Sequence, residues 1–228
     1  MARPVVTLHF AQSLDGRIGL GPGKQRVLLS SEEGVLCAHR ARSQHDAVLI
    51  GVETLLCDDP LLTAREGGAA QPLRVVLDSE LRAPLTSRLL QAAAGGGQVV
   101  IFGSAARAPS ERKEKLERCG VLVHLTGADR LRRVALPEVL EILARRGVKS
   151  VLVEGGATVI TSFLQDRLAA RAEVEVSPVL LGAPATPALR ELGVESLAGA
   201  LRLERVEVER LGQSVLLRGE IAYPAERT

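Results

Sequence analysis

Aromatic residues are scarce in this chain, 2% of 228 residues, and tryptophan is absent. The core must therefore rest on Leu, Val, Ile and Ala, and a flat ligand ring would be sandwiched by aliphatic side chains and backbone. Cysteine is also sparse. Cys37, Cys57 and Cys119 are odd in number, lie far apart and show no CxxC spacing, which argues against a disulfide framework or a zinc site. Reduced thiols in a cytosol fit them better. No apolar run approaches the roughly 20 residues of a membrane span, and Met1-Ala2-Arg3-Pro4 leads into a strand-like run without a signal-peptide core. A cytoplasmic protein with no membrane partner is the expectation. Neither sign of charge dominates: 29 basic against 27 acidic residues leave a net +2, too balanced for a general nucleic-acid binder. The histidines, His9, His39, His45 and His124, form no HxE or HExxH pattern, and GxSxG and GxxxxGK[ST] are missing, as is GxGxxG after the first strand. These gaps argue against zinc deaminase, zinc protease, α/β-hydrolase, P-loop NTPase and standard Rossmann chemistry, and no metal is expected.

What is present is an ordinary globular mix, 46% hydrophobic and 25% charged, enough to bury a core without staples. Residues 5–10 read as a strand. Residues 30–42 read as a helix, with Ser30 and Glu33 spaced as a capping box. Residues 47–50, 74–78 and 99–102 are continuous apolar runs of the fully buried strand type. Gly95-Gly96-Gly97 reads as a flexible surface turn. Further on come a helix over 110–119 closed by Gly120 and a strand over 121–125. Pro137 and Gly147 then bracket a helix over 138–146. A buried strand over 149–153 precedes a helix over 158–168. Residues 201–210 and 214–222 alternate around Leu211-Gly212-Gln213 and predict an antiparallel hairpin. Repeated strand–helix units closed by a hairpin imply an α/β layered domain with a mostly parallel sheet. With no repeat and no long linker, one domain over 1–228 is expected. The basic clusters at 130–133 and 145–146 read as solvated faces.

Three segments could carry chemistry. Glu154-Gly155-Gly156 follows a buried strand and precedes a helix. Glycines let a ligand approach the backbone, and a helix N-terminus offers N–H groups to phosphate; a tight strand-to-helix corner with no ligand is the alternative. Glu154, at the end of an apolar strand, needs solvent or a partner. Ser13-Leu14-Asp15-Gly16-Arg17 is turn chemistry. Asp58-Asp59-Pro60 places two carboxylates side by side, a geometry that seldom converges on one ion. Hydrogen bonds to ligand hydroxyls or amines, or capping of a nearby helix, suit them better. Arg40 and Arg65 are candidate phosphate clamps or surface salt-bridge partners.

Taken in order, these pieces resemble the reductase domain family of riboflavin biosynthesis. The matching residues are Ser13-Leu14-Asp15-Gly16-Arg17, Arg40-Ala41, Asp46-Ala47-Val48-Leu49-Ile50-Gly51 and Thr54. Asp58-Asp59-Pro60-Leu61-Leu62-Thr63 with Arg65 and Arg74-Val75-Val76-Leu77-Asp78-Ser79 follow. Val153-Glu154-Gly155-Gly156 and Pro178-Val179-Leu180-Leu181-Gly182 complete the set. The resemblance implies a dihydrofolate-reductase-like three-layer α/β domain with a mostly parallel central sheet and a C-terminal antiparallel hairpin. It implies NADPH-dependent reduction of the ribosyl group of a 5-phosphoribosylamino pyrimidine to the ribityl form, in a homodimer. The missing deaminase signatures fit a stand-alone reductase. By position, Ala11, Val27, Thr54, Asp58, Ser79, Gly156, Ala157, Thr158, Val159, Ile160, Thr161 and Ser162 match cofactor contacts. Gln25, Arg40, Leu62, Arg65 and Glu154 match substrate contacts. Asp58 is the candidate proton donor, with water as its rival, and Arg82 and Arg107 are candidates near Ser79 for a cofactor 2′-phosphate. His9 stands where family members often have Lys. Rival readings are a dihydrofolate or pteridine reductase on the same fold, and a non-catalytic nucleotide-binding domain.

Overall fold

The computed structural model describes residues 2–21, 23–25, 27–65, 70–94 and 98–225. In chain order the elements are β1 (Val5–Ser13), β2 (Arg17–Gly19), α1 (Glu32–Ser43), β3 (Ala47–Gly51), α2 (Val52–Asp58), β4 (Leu73–Leu77), α3 (Arg88–Ala94), β5 (Val99–Ser104) and α4 (Ser110–Arg118). They continue with β6 (Leu122–Thr126), α5 (Leu136–Arg145), β7 (Ser150–Val153), α6 (Ala157–Gln165), β8 (Arg171–Ser177), β9 (Thr186–Pro187), β10 (Arg202–Leu211) and β11 (Ser214–Ala222). By contact density the chain forms two compact units. One holds residues 1–4 and 39–152, the other 5–38 and 153–228.

The unit over 39–152 is built on the strand order β7-β3-β4-β5-β6. β3, β4, β5 and β6 run parallel, with Ile50 beside Val76, Val76 beside Ile101 and Ile101 beside Val123. The continuous apolar runs predicted as buried strands are these: every residue of β3 and β5 is buried, because helices occupy the crossovers of a parallel sheet. Val48, Ile50, Val76, Val99, Ile101 and Val123 pack with Val52 and Leu55 of α2, Leu89 and Leu90 of α3 and Leu116 of α4 in one core. α5 buries Leu136, Val139, Leu140 and Leu143, the one-sided spacing of an amphipathic helix. Pro137 lies in its first turn, as predicted, where its missing N–H costs nothing.

The second unit has the order β10-β11-β8-β1. β1 and β8 are parallel; β11 is antiparallel to both β8 and β10. The expected hairpin is present, but Leu211 pairs with Ser214, so the turn is the two residues Gly212-Gln213. Glycine takes φ +59° there. β8 was not predicted, although Ala172, Val174 and Val176 alternate with Glu173 and Glu175. That alternation is the period-2 signal of a half-buried strand.

The cap of α1 also differs from expectation. The N-cap is Ser31, not Ser30: the Ser31 hydroxyl accepts the Gly34 N–H at 3.0 Å. The reciprocal bond of a capping box comes from another strand, since Glu175 of β8 accepts the Ser31 N–H at 2.8 Å. A side chain at Gly34 would collide with that carboxylate. α3, also unpredicted, is started by Ser87, whose hydroxyl faces the Leu90 N–H. The Gly95-Gly96-Gly97 turn lies outside the described residues.

Candidate functional site

In the unit over 39–152 the sequence-predicted residues gather where the parallel strands end. α2 follows β3 directly and carries Thr54 and Asp58, both half-buried. Asp59 closes α2 in the left-handed region, φ 41°, and its Oδ1 accepts the Arg88 N–H at 2.9 Å. The Asp58-Asp59 pair is thus divided, and Asp59 does the helix capping considered for it, on α3. Leu62 is 1% exposed and holds φ +54°, a strained conformation for a branched side chain. It belongs to the core, so a ligand there meets backbone. The Thr63 carbonyl accepts Arg42 Nη1 at 3.2 Å and lies 2.9 Å from His39 Nδ1. These contacts tie the last turns of α1, which carry the exposed Arg40, to the segment that leads to the exposed Arg65.

Ser79 follows β4, and its hydroxyl accepts the Val134 N–H at 3.2 Å. Next to it Asp78 is fully buried, and its Oδ2 accepts the Ala83 N–H at 2.7 Å. Burial pushes the Asp78 carboxyl above the usual carboxylate range, against the pull of the backbone N–H groups. Arg82 and Arg107, the candidates beside Ser79, both pair with Glu80, and Arg82 also with Glu53.

In the unit over 5–38 and 153–228 the Glu154-Gly155-Gly156 turn joins β7 to α6. Gly155 has φ +112°, a conformation that disfavours any side chain. The Gly155–Gly156 peptide is cis. Gly156 is the N-cap of α6, and no side chain caps that end; the first-turn N–H groups are those that suit a pyrophosphate. Glu154 is half-buried and Thr158 exposed, while Ala157, Ile160 and Thr161 turn inward. The Thr161 hydroxyl donates to the Ala157 carbonyl at 2.7 Å and accepts the Arg190 N–H at 2.8 Å. Ser162 donates to the Thr158 carbonyl. Ala11 is a half-buried residue of β1, Val27 is half-buried and Gln25 exposed.

Two further motifs of this unit meet. Asp15 accepts the Leu181 and Gly182 N–H groups at 3.1 and 2.7 Å, so the Ser13–Arg17 turn holds the segment after β8. The Ser13 hydroxyl and those two N–H groups lower the Asp15 carboxyl to about 2. His9 Nδ1 lies 3.1 Å from Glu173 Oε2. Glu173 was missed with β8, and the alternation of that strand is the signal that could have found it. Among the described residues no helix is long and apolar enough to cross a membrane.

The RibD C-terminal domain family model matches residues 4–217. The chain is 32% identical to the 2,5-diamino-6-ribosylamino-4(3H)-pyrimidinone 5′-phosphate reductase of Archaeoglobus fulgidus over 221 residues, 92% of this chain and 95% of that protein. It is also 32% identical to the riboflavin biosynthesis protein RibD of Aquifex aeolicus over 216 residues, 94% of this chain but 57% of that longer protein. Among solved structures, Acinetobacter baumannii RibD superposes with a TM-score of 0.83 at 29% identity, over 96% of this chain and 58% of that one. The fold is thus the dihydrofolate-reductase-like α/β fold, mostly parallel with antiparallel C-terminal strands. The chain belongs to the RibD C-terminal domain family, the reductase domains of riboflavin biosynthesis.

Proposed function

We propose that this chain is an NADPH-dependent reductase that converts the ribosyl group of a 5-phosphoribosylamino pyrimidine to the ribityl form. The observation that carries this reading is the match to the A. fulgidus reductase along 95% of that protein's length. It favours the 2,5-diamino pyrimidine over the deaminated form. One family model running from 4 to 217 supports reading the chain as one reductase domain.

The roles are assigned within each unit. In the unit over 39–152, Arg40 and Arg65 hold the substrate 5′-phosphate by charge-assisted hydrogen bonds. The Leu62 backbone lines the same ligand, and Thr54 and Asp58 flank the nicotinamide. Asp58 donates the proton that balances reduction at C1′. Ser79 and its neighbours Arg82 and Arg107 select the 2′-phosphate of NADPH. In the other unit, Glu154 orients the sugar or base, Gln25 adds a substrate contact, and Ala11 and Val27 contact the cofactor. Gly156 to Ser162 seat its pyrophosphate. The open, uncapped start of α6 behind Gly155-Gly156 fits that group. Bound NADPH supplies hydride to the electrophilic C1′ of the ring-opened sugar imine; the protein supplies position and water exclusion. We also propose a cytoplasmic homodimer; β10 is an edge strand with Val206 and Val208 exposed among charged residues.

The test is loss of NADPH absorbance with the 2,5-diamino substrate and with its deaminated counterpart, run in parallel with NADH. Turnover of the 2,5-diamino compound with NADPH is expected. No oxidation with either pyrimidine would sink the proposal.

A further inference from the structure

In the unit over 39–152, Thr54, Asp58 and Ser79 follow the carboxyl ends of β3 and β4. The opposite end of the same strands holds a cavity of about 580 Å³. Asp46 precedes β3, Arg74 is the second residue of β4 and Gln98 precedes β5, and these parallel strands bring all three to one end. Thr63, Gln71 and Arg146 complete the polar lining.

Arg74 is out of place among its neighbours. It is 5% exposed, between Leu73 and Val75, which are also buried. Its Nε is buried and has no hydrogen-bond partner among the described residues. Burial is the cause of a lowered guanidinium pKa, and no carboxylate among the described residues opposes it. The acid in the lining is committed elsewhere. Asp46 Oδ2 accepts the Lys149 and Ser150 N–H groups at 2.7 and 3.0 Å and the Ser150 hydroxyl at 3.1 Å. The Gln71 amide is held by both backbone groups of Ala64. A buried guanidinium without a counter-charge is costly. Its planar fork matches the oxygens of a phosphate or a carboxylate.

We propose that this cavity is a ligand site for a small oxyanion-bearing molecule, phosphate or carboxylate, whose anionic group is received by Arg74 with the exposed Arg146 beside it. No residue of this lining is one to which the reductase reading assigns a role, although Thr63 lies between Leu62 and Arg65, and the observations at Arg74 do not depend on that reading.

Crystals of the full chain soaked in tungstate should show an anomalous peak in this cavity against Arg74. Calorimetric titrations with inorganic phosphate and with citrate should show a binding component that Arg74→Gln weakens by about tenfold or more. Arg146→Ala should weaken it several-fold, and that exposed substitution keeps the test open if Arg74→Gln does not fold. Tighter phosphate assigns a phosphorylated ligand; tighter citrate assigns a carboxylate. A cavity with no tungstate peak, or affinities unchanged in the folded variants, would overturn the proposal.

Discussion

Asp15 Oδ2 accepts the backbone N–H of Gly182 at 2.7 Å, across 167 residues of sequence. The other oxygen takes the Leu181 N–H at 3.1 Å and the Ser13 hydroxyl. One ionised carboxylate thus holds the turn after β1 to the segment after β8, and protonation would weaken each of these bonds.

A dependence on acid pH follows. The folded Asp15 carboxyl, at about 2, lies below its ordinary 3.8, so protons favour the unfolded chain. The stabilisation is complete above about pH 4 and is lost as pH falls toward 2. Urea unfolding of the protein and of Asp15→Asn should give a stability difference that shrinks through this window. A constant difference would mean that the charge has no part in it.

Gly34→Ala should destabilise the protein, against the usual helix preference for Ala of about 1 kcal/mol. The new methyl would displace Glu175 from the Ser31 N–H. Loss of that buried, charge-assisted bond should cost roughly 1–3 kcal/mol in chemical denaturation. Combining it with Glu175→Ala should give a strongly non-additive pair, because either change removes the same contact.

Thr161→Val keeps the shape of a side chain that is 4% exposed but removes the acceptor for the Arg190 N–H. A loss of about 1–3 kcal/mol is expected from the unpaired N–H, read by thermal or urea unfolding. If Thr161 worked only through a bound cofactor, stability of the unliganded protein would not move.

Arg107→Ala should raise KM for NADPH by about tenfold, the value of one charge-assisted phosphate contact, and leave KM for NADH unchanged. Steady-state rates with both nucleotides decide it. Equal effects on the two would remove Arg107 from 2′-phosphate selection and leave it as a partner of Glu80.

The buried parallel strands β3 and β5 were legible because each carries four consecutive apolar residues, 47–50 and 99–102, bounded by polar residues or glycine. β3 and β5 came out within a residue or two of the expected bounds. The Glu154-Gly155-Gly156 turn was legible because glycine pairs between a strand and a helix signal special backbone, and Gly155 is indeed at φ +112°. β8 lacks such a continuous run and shows only the alternation of Ala172, Val174 and Val176 with Glu173 and Glu175, whose partners, His9 and Ser31, are remote in sequence.

The sequence by itself determined the strand–helix alternation, the hairpin and the order of the functional motifs, all of which depend on neighbours a few residues apart. Only the tertiary structure decided which hydroxyl caps α1, which of the adjacent acids Asp58 and Asp59 caps α3, and what Asp15 holds. It also decided that Arg74 is buried in a cavity at the amino ends of β3 and β4, with no counter-charge among the described residues. Hydrogen bonds and burial are set by distances in space, and local periodicity carries no record of a partner 29 residues away, as Arg88 is from Asp59, or 167, as Gly182 is from Asp15.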